Sequence, residues 1–190
     1  DAPPTEDAPL RPGNPYSVSK VAQDMLGLQY YLSHQLPIMR ARPFNHFGPG
    51  QRLGFVAADF ALQVARIEAG LQEPVIRVGS LSAERDFTDV RDIVRAYHLI
   101  MERGTPGDAY NIASGSYITI RYLLDVMLGY SMTPIRVEVD ASRIRPGKDH
   151  RSWGNASRLR QVTGWEPIIP IEQTIHDVLN EFRQQVGASI

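Results

Sequence analysis

Asn14-Pro15-Tyr16-Ser17-Val18-Ser19-Lys20 is the stretch from which the rest of the chain is read. The residues leading into it, Asp1 to Pro15, hold five prolines and no apolar period, which predicts a loop. Beyond it Val18, Val21, Ala22, Met25, Leu28 and Leu32 recur at helical spacing and predict a helix over residues 16–34. On such a helix Tyr16 and Lys20, four residues apart, share a face. An isolated phenol, with a pKa of about 10, is a poor acid or base at neutral pH. A fixed cation beside it favours the phenolate, and each pKa unit represents about 1.4 kcal/mol. Lys20 can supply that cation, so the pair is chemically able to move a proton. The same spacing also fits an ordinary helix start with an exposed tyrosine and a solvated lysine, so its meaning depends on the surrounding chain.

Working outward, Pro37 opens a predicted strand over residues 38–42, which runs into the irregular loop Pro43-Phe44-Asn45-His46-Phe47-Gly48-Pro49-Gly50. Helices are predicted over 55–69, over 90–103 with Asp89 as N-cap, from the cap Thr119 to Leu128, from the cap Asn155 to Val162, and over 171–185. Strands are predicted at 75–78, 109–113 and 135–139. Alternating strands and helices argue for α/β layers. There is no internal repeat, low-complexity tract or linker long enough to divide the chain.

The totals exclude several classes. With 190 residues, 43% hydrophobic and 22% charged, the chain can bury a real core and fits one generous domain or part of a larger protein. A formal net charge of -1 gives no general attraction to nucleic acid or anionic membrane, so neither is an expected partner. The absence of Cys removes disulfides, thiolate catalysis and Cys-based metal sites, and suits a reducing cytoplasm. No apolar run reaches the roughly 18 residues of a membrane span. The Pro-rich polar start at Asp1 reads as a piece cut from something longer.

Four motifs occur in order: Tyr16-x-x-x-Lys20, the Arg42-Pro43-Phe44-Asn45-His46-Phe47-Gly48-Pro49-Gly50-Gln51 loop, Arg85-Asp86-Phe87-Thr88-Asp89-Val90-x-Asp92, and Gly164-Trp165-x-Pro167. Together they resemble the latter part of an extended short-chain dehydrogenase/reductase acting on nucleotide sugars. Within that family the run to Leu53-Gly54-Phe55-Val56, with Val78-Gly79-Ser80-Leu81 ahead of Arg85, is most similar to GDP-6-deoxy-4-keto-mannose reductases. The resemblance implies an α/β fold, the C-terminal portion of an NAD(P)-binding Rossmann-like domain joined to a smaller substrate domain. Residues 1–50 would end the dinucleotide-binding domain. Residues 51–190 would form mainly the nucleotide-sugar domain, with segments returning to the Rossmann core.

It also implies a reduction in which NAD(P)H supplies hydride to a sugar C4 ketone while Tyr16 donates the proton and Lys20 holds the nicotinamide ribose. Proton donation of this kind contributes roughly a hundredfold to ten-thousandfold. By the same resemblance Phe44 lines the nicotinamide side and Asn45 bonds substrate, although an Asn here also fits a turn closed on its own backbone. Phe55 and Val56 would meet the nucleotide base, with core packing as the competing reading. Arg85 is the best candidate for the diphosphate, because a guanidinium fork binds phosphate oxygens in pairs, and Arg145 matches a second such arginine. His46, a lone loop histidine, is left out of the catalytic set.

Asp86, Asp89 and Asp92 are read as local pairing, a helix cap and a first-turn charge, not as metal ligands, and no metal is expected. Gly48-x-Gly50 with Gly54 has the wrong spacing for a dinucleotide turn and is interrupted by Pro49. Asn155-Ala156-Ser157 fits a glycosylation acceptor without any secretory signal to support it. Gly164, Trp165 and Pro167 are expected to pack the last helix. No glycine-rich phosphate turn occurs, so the chain alone is expected to bind NAD(P) weakly and to be catalytically inactive, and a homodimer through the Tyr16 helix is expected from the resemblance. The alternatives are a GDP-mannose 4,6-dehydratase, a UDP-sugar 4-epimerase, or a nucleotide-sugar binding module without catalysis.

Overall fold

The computed structural model describes residues 2–144 and 151–187, so Arg145 lies outside the described residues. Helix α1 spans Pro15–His34. Asn14 caps it, its Oδ1 accepting from the Ser17 N–H at 2.8 Å, and Pro15 occupies the first turn where no backbone donor is needed. The helix stops at Gln35, which takes the left-handed conformation (φ 54°) while its N–H closes on Tyr31 O.

Strand β1 (Arg40–Pro43) pairs in parallel with β6 (Ala109–Ile112), Arg40 opposite Ala109. All four β6 residues are buried, as expected for a parallel strand covered on both faces. Helix α3 (Val90–Arg103) and helix α5 (Ser157–Thr163) pack here. They form a core of Ile93, Ala96, Ile100, Tyr110, Ile112, Leu159 and Trp165. A second core joins α2 (Val56–Glu68), α4 (Ile120–Gly129) and α6 (Ile171–Gly187) to β3 (Val75–Val78), which pairs in parallel with β8 (Arg136–Val139). Phe60, Val64, Leu123, Leu124, Met127, Ile175 and Leu179 fill it. Leu124→Ala is expected to cost about 2–5 kcal/mol in chemical denaturation, because the side chain is completely buried and its void cannot fully collapse.

Two short pairings lie between the cores. β2 (Asn45–Phe47) runs parallel to β5 (Phe87–Asp89), and β4 (Glu84–Arg85) runs antiparallel to β7 (Ile118–Thr119). The loop over 43–50 therefore contains a strand, contrary to its reading as irregular. The three residues of β2 are too few to display a period of two, and their strand character comes from pairing with β5. The expected α5 cap also shifts. Asn155 lies one residue before the N-cap Ala156, yet its Oδ1 still accepts from Ser157 N–H at 2.8 Å.

The apolar stripe on α1 also behaves differently from a core stripe. Only Val21 and Leu28 of its members are partly covered, while Val18, Ala22, Met25 and Leu32 are exposed. The helix is instead held to β1 by charge: Asp24 accepts from Arg40 at 2.9 Å and from Arg42 at 2.9 and 2.7 Å. Among the described residues no helix is long and apolar enough to cross a membrane.

Candidate active site

Tyr16 and Lys20 stand on the outer face of α1, with Tyr16 70% exposed and the Lys20 ammonium 5.7 Å from the centre of the Tyr16 ring. The helix spacing brings the two groups together, and Lys20 Nζ is steadied by Gln23 Oε1 at 3.2 Å. Phe44 follows β1, where its N–H donates to Ile112 O at 2.9 Å. Its ring lies over Gly154 so closely that a Cβ at that position would collide with it. Asn45 opens β2 opposite Phe87 and is exposed, which leaves its amide available to a ligand. His46 Nδ1 lies 2.9 Å from Phe44 O, within its own strand.

Arg85 ends β4, two residues before the partner of Asn45, so the β2–β5 pairing brings these two candidates to one region. Its Nη1 donates to Glu84 O at 2.8 Å. Phe55 is the N-cap of α2 and is half exposed, with the Arg52 guanidinium 5.8 Å from its ring, whereas Val56 is partly covered against the α2–α6 core. Val56 thus fits packing better than base contact. Arg145 cannot be placed among these residues.

Asp86 corrects the sequence reading of local pairing. The side chain is fully buried and reaches across the fold. Oδ1 accepts from Ser114 N–H at 2.9 Å and Ser114 Oγ at 2.7 Å, and Oδ2 accepts from Gly115 N–H at 3.1 Å and Gly154 N–H at 3.3 Å. One carboxylate therefore ties β4, which carries Arg85, to the turn after β6 and to the segment beneath Phe44. Only the adjacent Arg85 motif hinted at it, because its partners are remote in the chain.

Asp92 similarly exceeds a first-turn charge. It accepts from Arg95 at 2.8 Å and from the Ile168 and Ile169 N–H groups at 2.9 and 3.0 Å, while its carbonyl takes the Trp165 Nε1–H at 3.0 Å. Among the described residues no group of three or more acidic or histidine side chains is placed to hold a metal ion.

Asp24, Asp89 and Glu68 are among the carboxylates held below their ordinary pKa. Burial opposes ionisation of Asp24, but hydrogen bonds and charge from Arg42 and Arg40 outweigh it. Burial likewise opposes ionisation of Asp89, and the bonds from Arg91 and Thr174 prevail. Glu68 is lowered first by its bond from Arg183, against a smaller effect of burial. A lowered folded pKa contributes stability that is complete above the ordinary carboxylate range, about 4, and is lost as pH falls through the folded value. Thermal melts should therefore show Tm falling below about pH 4, with Asp24→Asn flattening that dependence.

This arrangement, parallel strands flanked by helices with an exposed Tyr and Lys one turn apart, fits part of an extended short-chain dehydrogenase/reductase. A profile of GDP-mannose 4,6 dehydratase matches residues 1–178, and the chain belongs to that family. GDP-6-deoxy-D-mannose reductase of Pseudomonas aeruginosa is 38% identical over 175 residues, covering 92% of this chain and 58% of that protein. GDP-mannose 4,6 dehydratase 2 of Arabidopsis thaliana is 30% identical over 181 residues, covering 94% and 48%. The solved structure of RMD from Pseudomonas aeruginosa complexed with NADPH superposes with a TM-score of 0.90 at 36% identity, over 95% of this chain and 60% of that one. The chain thus spans about half the length of the relatives it matches.

Proposed function

We propose that the protein carrying this chain is an NAD(P)H-dependent nucleotide-sugar oxidoreductase that reduces the C4 ketone of GDP-4-keto-6-deoxy-mannose to GDP-rhamnose. The observation that carries the reading is the Tyr16–Lys20 pair, exposed on one face of α1 with the ammonium 5.7 Å from the ring centre. The similarity to the Pseudomonas reductase supports it further. Tyr16, Lys20 and Phe44 suit the nicotinamide end of the cofactor, offering a phenol, a cation for ribose hydroxyls and an aromatic wall. When bound, NAD(P)H supplies the hydride. Tyr16 then gives its phenolic proton to the oxygen of the reduced ketone, and Lys20 stabilises the phenolate left behind. Arg85 binds diphosphate oxygens, with Asn45 and Arg145 as further polar contacts and Phe55 against the base.

Residues 1–50 are assigned to the end of the cofactor domain and 51–190 mainly to the substrate domain, with α3, β6 and α5 returning to the first core. The exposed Val18, Met25, Leu26 and Leu32 on α1 support a homodimer through that helix, which light scattering on the full-length protein checks. A cytoplasmic location fits the cysteine-free composition.

The test is product analysis with the full-length protein. Consumption of GDP-4-keto-6-deoxy-mannose with NAD(P)H oxidation is expected. Conversion of GDP-mannose to the keto sugar without net oxidation would instead establish the dehydratase, which the Arabidopsis relative favours. Arg85→Ala is expected to weaken GDP-sugar binding by about 1–3 kcal/mol in calorimetry, and unchanged affinity removes Arg85 from the site.

A further inference from the structure

We propose that Asp24 and Arg42 are positioning residues that set the place of the Tyr16–Lys20 pair against the Phe44–Asn45 edge of the candidate site. The inference rests on the proton-donor reading of Tyr16 given above. Neither residue is offered as a contact to substrate or cofactor; both act through the helix that carries the pair.

Tyr16, Lys20 and Asp24 recur at intervals of four, so they lie along one side of α1. At the helical rise Asp24 stands about 6 Å along the axis from Lys20 and about 12 Å from Tyr16. The helix has no buried residue, so apolar packing gives it little hold on the strands beneath. Asp24 supplies that hold with both oxygens. Arg42 Nε donates to Oδ1 at 2.9 Å and Arg42 Nη2 to Oδ2 at 2.7 Å, and Arg40 Nη1 adds a third bond to Oδ2 at 2.9 Å. The Arg42 and Asp24 side chains are only 19% and 13% exposed, which limits screening of their attraction. A two-pronged guanidinium–carboxylate pair fixes direction as well as distance.

The third nitrogen of Arg42 widens its reach. Nη1 donates to Glu6 O at 2.8 Å, and Glu6 Oε1 accepts from Asn111 N–H of β6 at 2.8 Å. One guanidinium thus joins α1, β1 and the segment that leads into α1, two residues before Phe44 in the chain. A slip of α1 by a single residue would carry the phenol about 1.5 Å along the helix axis. Misplacement of a reacting group by about 1 Å can cost about a hundredfold in rate. Lysine at position 42 would keep the charge and lose the fork, leaving a point charge that does not set direction.

Steady-state kinetics of the full-length protein test this, in whichever of the two reactions above it performs. Arg42→Lys and Asp24→Asn are each expected to lower kcat at least about tenfold, with KM for the nucleotide sugar within about twofold of wild type. Arg42→Lys should also leave the pH dependence of kcat unchanged, because it moves the phenol without altering the charge around it. The control is Arg183→Lys. Arg183 forms a fork of the same kind between α6 and α2, Nε to Glu68 Oε2 at 2.7 Å and Nη2 to Oε1 at 2.8 Å, far from the pair in the fold's second core. That variant should lower the urea midpoint and leave kcat at the wild-type value. Should Asp24→Asn fail to fold, Arg42→Lys carries the same test. The proposal is overturned by wild-type kcat in Arg42→Lys, by a loss carried by KM, by a shifted pH profile, or by an equal fall of kcat in Arg183→Lys. Tyr16→Phe separates the two ways of failing. If it abolishes turnover while Arg42→Lys is unimpaired, the positioning alone is wrong; if it retains turnover, or if neither reaction occurs, the proton-donor reading falls and the positioning falls with it.

Discussion

Tyr16→Phe in the full-length protein is expected to lower turnover by roughly a hundredfold to ten-thousandfold, the range supplied by a positioned proton donor. Nucleotide-sugar affinity should stay nearly constant, because the substitution removes one hydroxyl from an exposed ring and leaves the ring in place. The helix should be unaffected. Its start depends on Asn14, whose side chain caps Ser17 N–H, and on Pro15, not on the phenol. A fall in kcat and kcat/KM together, with unchanged calorimetric binding, identifies an interaction made only in the transition state. Retained turnover would remove Tyr16 from the chemistry.

Asp86→Ala is expected to give the largest loss of stability, about 3 kcal/mol or more in urea denaturation. The carboxylate is fully buried and accepts four hydrogen bonds. Its removal leaves the N–H groups of Ser114, Gly115 and Gly154 without their acceptor; of these Gly154 is buried, and an orphaned buried donor costs about 1–3 kcal/mol. The consequences should reach the site as well. Gly154 sits against the Phe44 ring, and Ser152 flanks Arg85 in a parallel bridge, so loosening this segment disturbs two candidate ligand contacts at once. Asp86→Asn is the informative companion: it retains one acceptor oxygen and presents an amide to the Gly115 and Gly154 donors. Its destabilisation should fall between those of wild type and Asp86→Ala, and a loss of less than about 1 kcal/mol for the alanine variant would show that the three loops hold without it.

Local chemistry made much of the fold legible. Helix α3 begins at the residue after Asp89 and helix α4 at the residue after Thr119, as read from the sequence, because a cap acts on N–H groups two or three residues away. Strand β3 spans residues 75–78 as expected, since three buried apolar residues, Val75, Ile76 and Val78, lie between Pro74 and Gly79. The Tyr16–Lys20 juxtaposition was equally local, a property of one helical turn. The short strands β2, β4, β5 and β7 were not legible, because two or three residues carry no measurable period and exist as strands only through their partners.

What the sequence by itself determined, then, is the succession of elements, the helix caps, the proton-moving pair and the family motifs, all of which depend on residues a few positions apart. Tertiary structure alone decided which faces are covered and which carboxylates have remote work. The apolar stripe of α1 could not reveal that Val18, Met25 and Leu32 face outward while Asp24 faces β1, since periodicity marks a face without naming its neighbour. Asp86 and Asp92 illustrate the same physics. Their backbone N–H partners lie 28 to 77 residues away, and a buried carboxylate is tolerated only where the folded chain delivers enough N–H groups to replace the water it has lost.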